Sequence, residues 1–397
     1  MYNLFNKFII KNVSTIIIAV FILMLPLIIN IHISDMVLSI RYLSLSILIF
    51  SLFLFNFKNG IITDVLKNPI VISLLLLLCI NIFSSLYNDF SADAIFSLSR
   101  LFVLLSLTIF FAGLFTKEDY LFIAKSILIF SLISLLIYFI QIYIAFTNEK
   151  DFISSVEKIS ATMGNKNLLA SILFLSLPFL FYVNQSANKL WKMLILFVLV
   201  LILCSLILIQ SKAVLLALFF FCTSIILFAF KGNSKVILSF IFTILIIIST
   251  LFITKPKIAL QFQQEIEQII RTKNRFLENR LVKNDSRVSL YIKTIDMIKD
   301  NPLLGVGPGN WKKEFPKYGL KNTSGEKGDK FAQRPHSDFL WFFSEGGILS
   351  GILYILLFAL VLRDTLFFYL NMKDEKRYFF LILFSTMLGY IGISLFD

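Results

Sequence analysis

Apolar runs of about 20 residues recur along nearly the whole chain, and that is the length a bilayer-spanning helix requires. Hydrocarbon offers no partner to backbone N–H and C=O groups, so runs of this kind satisfy them internally as helices. A hydrophobic share of 58%, 45 Phe residues and a mean hydropathy of +0.86 exclude a water-exposed globule. The fold class that follows is all-α: a polytopic transmembrane helical bundle. Runs at 13–30, 38–57, 69–87, 94–115, 120–146, 167–183, 190–209, 212–230, 236–254, 338–362 and 378–396 predict about eleven spans. Lys7 and Lys11 precede the first run, yet it is too long for a signal-peptide core, lacks a small-residue cleavage site and is followed by further spans. It reads as a retained first helix.

Charge gives the orientation. With the N-terminus cytoplasmic, Lys58, Lys67, Lys117, Lys189, Lys192, Lys231, Lys235, Arg363, Lys373, Lys376 and Arg377 fall on inner turns, while Asp35, Asp89 and Asp93 fall on short outer ones. The chain then divides into transmembrane helices at 1–254, a large external loop at 255–335 and C-terminal transmembrane helices at 336–397. That loop carries about 17 Lys and Arg against about 9 Asp and Glu, which is most of the net charge of +13. The positive-inside rule holds for short loops, so the basic character of this one points to an anionic ligand at the membrane surface.

Two amphipathic helices are predicted inside the loop. One covers 256–280; the other starts after Asp285 or Ser286, runs through Val288, Ile292, Ile295 and Ile298, and stops at Asn301-Pro302. Both are suited to lie along the outer leaflet. Gly305-Val306-Gly307-Pro308-Gly309-Asn310-Trp311 then forms a tight turn, in which glycines permit positive φ. It is no phosphate loop, since it lacks both the strand–turn–helix context and a Gly-Lys-Ser/Thr ending. Cys79, Cys204 and Cys222 all lie in apolar runs and are odd in number, which suits apolar packing rather than a disulfide framework or a zinc cluster. With two histidines and no DxD or HExxH pattern, neither a metal site nor any cofactor is expected. No feature suggests nucleic acid; the immediate partners are membrane lipids.

Three polar islands converge on the outer side: Gly164-Asn165-Lys166-Asn167, Gln210-Ser211-Lys212 and Arg334-Pro335-His336-Ser337-Asp338. Arg41 and Arg100 sit one or two turns inside their spans, where a charge needs a partner, a wet cavity or a route by which to snorkel. His32 has no such company and reads as an interface residue. Glu345, about two and a half turns beyond His336, reads as half of a structural ion pair, and Gly346, Gly347 and Gly351 read as close helix packing.

The run NPLLGVGPGNW after a helix headed by Arg287, the later HSDFLWFFSEGGILSG, and GNKNLLA together resemble the O-antigen ligase and polymerase superfamily over about residues 155–397. The resemblance implies a membrane glycosyltransferase of the bacterial inner membrane with its active site facing the periplasm. It would take a glycan from an undecaprenyl-pyrophosphate carrier and join it to an acceptor. On that likeness His336 is the catalytic His and Arg287 the loop Arg that holds pyrophosphate. Lys212 stands where the family usually has Arg, which keeps the charge and loses the bidentate fork. Relatives continue with at least one further helix, so the resemblance also implies more chain beyond Asp397.

The outer face has no nucleotide sugars, so the energy of the new glycosidic bond would reside in the lipid-linked pyrophosphate. Arg287 and Lys212, with Arg334, Arg41 and Arg100 as further candidates and Asn165 and Asn167 as polar contacts, would bind that group. His336 would take the proton of the acceptor hydroxyl, and positive surroundings favour the neutral imidazole this needs. The expected reaction is inverting and metal-independent, with lipid A core the favoured acceptor. Alternatives are glycan polymerisation or transfer to protein hydroxyls and, outside the enzymes, a lipid-linked glycan transporter or an export scaffold.

Overall fold

The computed structural model describes residues 2–28, 38–56, 62–148, 159–229, 286–320, 323, 332–374 and 376–396. The span at 236–254, the loop helix at 256–280, His32 and the N-cap candidate Asp285 lie outside these residues. The described residues are helical without strands: α1 (Tyr2–Met24), α2 (Leu38–Asn56), α3 (Ile62–Val65), α4 (Pro69–Tyr87), α5 (Ala92–Leu114), α6 (Lys117–Asn148), α7 (Lys166–Asn184), α8 (Lys189–Ile209), α9 (Lys212–Ala229), α10 (Ser286–Asp300), α11 (Trp311–Glu314), α12 (Asp338–Asn371) and α13 (Arg377–Phe396). Seven of them, α4 to α8 with α12 and α13, are long and apolar enough to cross a membrane, and three shorter apolar helices lie at Val13–Leu27, Ile40–Phe53 and Lys212–Phe228.

Side-chain caps set several of these starts. Asn68, Ser91, Asn165 and Asn188 each accept a backbone N–H from the first turn of α4, α5, α7 and α8, and Pro69 follows its cap at the one place where a missing N–H costs nothing. Asp119 serves α6 similarly, taking the N–H and hydroxyl of Thr116, and is reached from α1 by the Thr15 hydroxyl at 2.8 Å. The main apolar core joins α6, α7, α8 and α9 through residues such as Leu128, Tyr138, Leu173, Phe174, Val198 and Ile202. Free cysteines follow no single pattern: Cys79 and Cys222 are partly buried, whereas Cys204, expected to pack inside, is exposed on α8.

The largest departure from expectation lies in α12. Phe339 packs 5.2 Å from Tyr354 and 5.7 Å from Phe358, and Phe342 stacks on Tyr354 at 4.2 Å. In a straight helix the first two pairs would stand about 22 and 28 Å apart. The helix instead reverses at Gly347, whose φ of 75° and ψ of −175° are non-helical, so Asp338–Gly346 forms a short arm folded against the long arm that follows. The run at 338–362 is therefore not one straight span. Close packing explains Gly351, where a Cβ would come within 2.4 Å of the Phe343 ring, but Gly347 is the hinge of a helical hairpin.

A helix broken this way leaves carbonyl and N–H groups unpaired. The Gly-rich turn supplies them: Val306 N–H donates to Ser344 O at 2.9 Å, Gly307 N–H to Glu345 O at 2.9 Å, and Ile348 N–H reaches Pro302 O at 2.8 Å. From α4, Ser84 Oγ also donates to Glu345 O at 3.0 Å, and Asn81 Nδ2 reaches Ser350 Oγ at 3.1 Å. Gly305, Gly307 and Gly309 all take positive φ, as the turn reading expects. Gly305 adds a contact requirement, since a Cβ there would lie 2.5 Å from the Glu345 carbonyl. NPLLGVGPGNW is thus a plug fitted to the break in α12.

Candidate active site

Helix direction determines which motifs can meet. Against α13, Tyr182 lies by Phe379 at 5.0 Å while Phe174 lies by Gly389, so α7 runs antiparallel to it. Phe228 by Phe384 at 5.5 Å, with Leu216 and Phe220 by Gly392, gives the same sense for α9. The long arm of α12 is antiparallel as well, with Phe368 by Phe380 at 5.0 Å and Phe358 by Tyr390 at 6.0 Å. The starts of α7 and α9, the reversal of α12 and the C-terminus of α13 therefore occupy one end of the bundle. Asn165, Lys166 and Asn167, then Ser211 and Lys212, share that end with the His336 segment.

His336 adopts the left-handed conformation, with φ of 58°, between buried Pro335 and the N-cap of α12 at Ser337. A non-glycine residue held there is strained, and such strain gathers at functional sites. Tyr291 of α10 donates to the His336 carbonyl at 3.0 Å and lies 3.2 Å from the Leu395 carbonyl. One helical turn earlier on the same face, Arg287 Nη1 donates to Phe396 O at 2.6 Å. Two side chains of α10 thus cap the last carbonyls of α13, where a cation also complements the helix dipole.

The body of α10 is fixed by burial. Leu290 and Met297 are 2% and 0% exposed and pack with Trp311 and Phe315, while buried Thr294 Oγ1 accepts the Trp311 indole N–H at 3.2 Å. Ile292 and Ile295, from the expected apolar stripe, remain 44% and 42% exposed on the other side. Beyond the helix, burial and then a hydrogen bond to Asp300 push the Tyr318 phenol up to about 12, so it stays protonated at neutral pH.

Glu345 is buried at the end of the short arm. Its Oε1 accepts Trp311 N–H at 3.3 Å, the Gly309 N–H points to it, and it lies in the field of Arg100. Buried Trp341 Nε1 adjoins the same carboxylate without reaching hydrogen-bonding geometry. Arg100 stacks over Phe96 at 4.3 Å and lies 5.4 Å from Tyr42 and 5.9 Å from Trp341, with its Nε–H buried and unpaired. The structure brings Arg100 onto the arm that His336 opens.

Arg41 and Asn165 are engaged in local architecture. Arg41 Nη2 donates to Thr162 O at 2.8 Å, its Nη1 lies 3.1 Å from Met163 Sδ, and its Nε donates to Ile28 O at 3.2 Å. Those bonds clamp the segment leading into α7, where Asn165 Oδ1 accepts Asn167 N–H at 2.8 Å. Arg41→Ala is therefore expected to lower thermal stability by about 1–3 kcal/mol, the scale of freeing buried acceptors, alongside any loss of activity. An unchanged melting temperature with activity lost would assign Arg41 to substrate instead.

Residues 197–355 match the family model described as O-antigen ligase. The match supports the O-antigen ligase superfamily that the His336 and Gly-rich motifs resemble. The matched stretch runs from α8 through the plug and the short arm of α12 into its long arm, so it contains Lys212, Arg287, Arg334, His336 and Glu345. The stretch is thus similar to O-antigen ligases, and the apolar helices suit a multi-pass membrane protein. Arg41, Arg100, Asn165 and Asn167 lie outside the matched stretch. No curated protein matches the chain. Sequence reasoning passed over Tyr291, which holds the His336 carbonyl; its spacing of four from Arg287 was the available signal.

Proposed function

We propose that the protein is a metal-independent, inverting glycosyltransferase that moves a glycan from an undecaprenyl-pyrophosphate carrier to an acceptor hydroxyl at the His336 end of the bundle, in the periplasm. The observation that carries the reading is the strained His336 held by Tyr291, with Arg287 one turn away on the same helix, inside the stretch that matches the O-antigen ligase family. The acceptor oxygen attacks the anomeric carbon, and its proton passes to the neutral imidazole of His336. The bond from that carbon to the pyrophosphate oxygen breaks, and the carrier pyrophosphate leaves with the electron pair. A single displacement inverts the anomeric centre. Arg287, Lys212 and Arg334 offset charge developing on the phosphate oxygens, and Arg100 adds a cation beside the short arm.

Arg287→Lys is expected to lose much of the activity while Lys212→Arg retains it, because a guanidinium fork fits phosphate oxygens where an ammonium does not. Equal turnover of Arg287→Lys and the unchanged protein would reduce Arg287 to its capping of α13. The reaction itself is tested by reconstitution with a polyprenyl-pyrophosphate-linked oligosaccharide in the presence of chelator. Lipid A core, further donor or a Ser/Thr-rich protein is supplied in turn, and lipid A core is the acceptor expected to yield product and free polyprenyl pyrophosphate. Growth of the glycan with donor alone identifies a polymerase, and modified protein an O-oligosaccharyltransferase. Donor crossing the bilayer with no new bond in any arm overturns the glycosyltransferase reading.

A further inference from the structure

A cavity of about 360 Å³ opens between the α4–α5 turn and the plug, lined among others by Tyr87, Asn88, Asp89, Asn310, Lys313 and Glu314. None of these residues takes part in the chemistry above. We infer that this cavity is a saccharide subsite that holds sugar rings of the glycan chain away from the reacting bond; the inference rests on the glycosyltransferase reading and names where that substrate is gripped.

The walls are rigid. Asn88 Nδ2 donates to the Ser84 and Gly305 carbonyls, and Asn310 Nδ2 to the Asp89 and Val306 carbonyls, while Ser91 Oγ donates to Asn310 Oδ1 at 3.2 Å. Lys312 pairs with Asp93 at 2.8 Å and ties α11 to the start of α5. With amide donors spent on backbone, the lining offers the Asp89 carboxylate, the Glu314 carboxylate paired with Lys317 at 2.5 Å, and the Lys313 ammonium, which lies 3.9 Å from Asp93. Carboxylates facing a cavity select a ligand rich in O–H donors, and the pairing of its charges with Lys317 and Asp93 leaves the lining with little net charge to attract an ionic one. Neutral sugars fit that description.

Tyr87 supplies the remaining element. Its side chain is 79% exposed at the rim, where an aromatic face can stack on the apolar face of a pyranose. Anchoring α4 at the interface would explain a tyrosine there, but not the Asp89 carboxylate beside it. Asn301, also in the lining, is ten residues from Tyr291 along α10 and its exit, a rise of about 15 Å. The cavity is thus displaced from His336 along one helix, as a subsite for an extended oligosaccharide should be.

The test uses the full chain in lipid nanodiscs. The binding probe is the water-soluble oligosaccharide released by mild acid from the lipid-linked donor, observed by saturation-transfer NMR; turnover is followed with the intact donor. Tyr87→Ala and Asp89→Asn, both at exposed positions, are expected to abolish saturation of the sugar protons and to raise the donor KM about tenfold or more at similar kcat. His336→Ala should keep the saturation. Glycan transfer with unchanged KM and unchanged saturation in both cavity variants overturns the subsite and leaves the glycosyltransferase reading standing. Saturation that depends on Tyr87 and Asp89 in a protein that transfers nothing supports the subsite and overturns the reading it was built on.

Discussion

His336→Ala should reduce glycan transfer by about 10²- to 10⁴-fold, the scale of a lost general base, with the protein still present in the membrane at its usual level. The left-handed backbone at this position complicates the comparison, since alanine tolerates a φ of 58° poorly. His336→Asn is the informative partner: asparagine accepts that conformation and cannot act as the base. Both variants should melt within a few degrees of the unchanged protein, and both should be inactive in cells lacking the native gene. Glycan attachment at the ordinary rate by His336→Asn would remove His336 from the chemistry and leave it a backbone role.

The second large effect concerns the hinge. Gly347→Ala should destabilise the fold by about 3 kcal/mol or more, since a Cβ would meet Leu303 O at 2.1 Å on a backbone already at φ of 75°. Gly319→Ala provides the control, because its φ is 86° but no atom lies within 4 Å of the added carbon. Strain without collision should cost only about 1 kcal/mol there. Thermal unfolding in detergent, read by size-exclusion fluorescence, separates the two, and equal midpoints would mean that the plug yields to accommodate a methyl group.

Helix extents were legible where capping chemistry marks them. Asn68-Pro69 and Tyr87 bound α4 as the apolar run predicts, and the glycines of 305–309 announce positive φ by themselves. The reversal at Gly347 was not legible, because Phe339 to Phe358 is uniformly apolar apart from Ser344, Glu345 and Ser350, and hydropathy cannot tell a straight run from one folded on itself. Gly346-Gly347 could equally mark close packing. The inward face of α10 was not legible for a related reason. Isoleucines at 292 and 295 dominate the pattern, yet Thr294 lies inside because a distant Trp311 brings an indole N–H to it. At the site, His336 and Arg287 stood out through motif resemblance, whereas Tyr291 acts through partners, His336 and Leu395, that sequence spacing does not place beside it.

The hairpin in α12 also bears on biogenesis. Its short arm rises only about 14 Å and cannot cross a hydrocarbon core of about 30 Å, so it has no stable place in the bilayer on its own. Residues 302–307 fit against Ser84 of α4 and the carbonyls of Ser344 and Glu345 on the short arm, so the plug locks α4 and the short arm together only once both are in place. The left-handed conformation of His336, which opens that arm, is accordingly expected to form in a docking step that follows membrane integration.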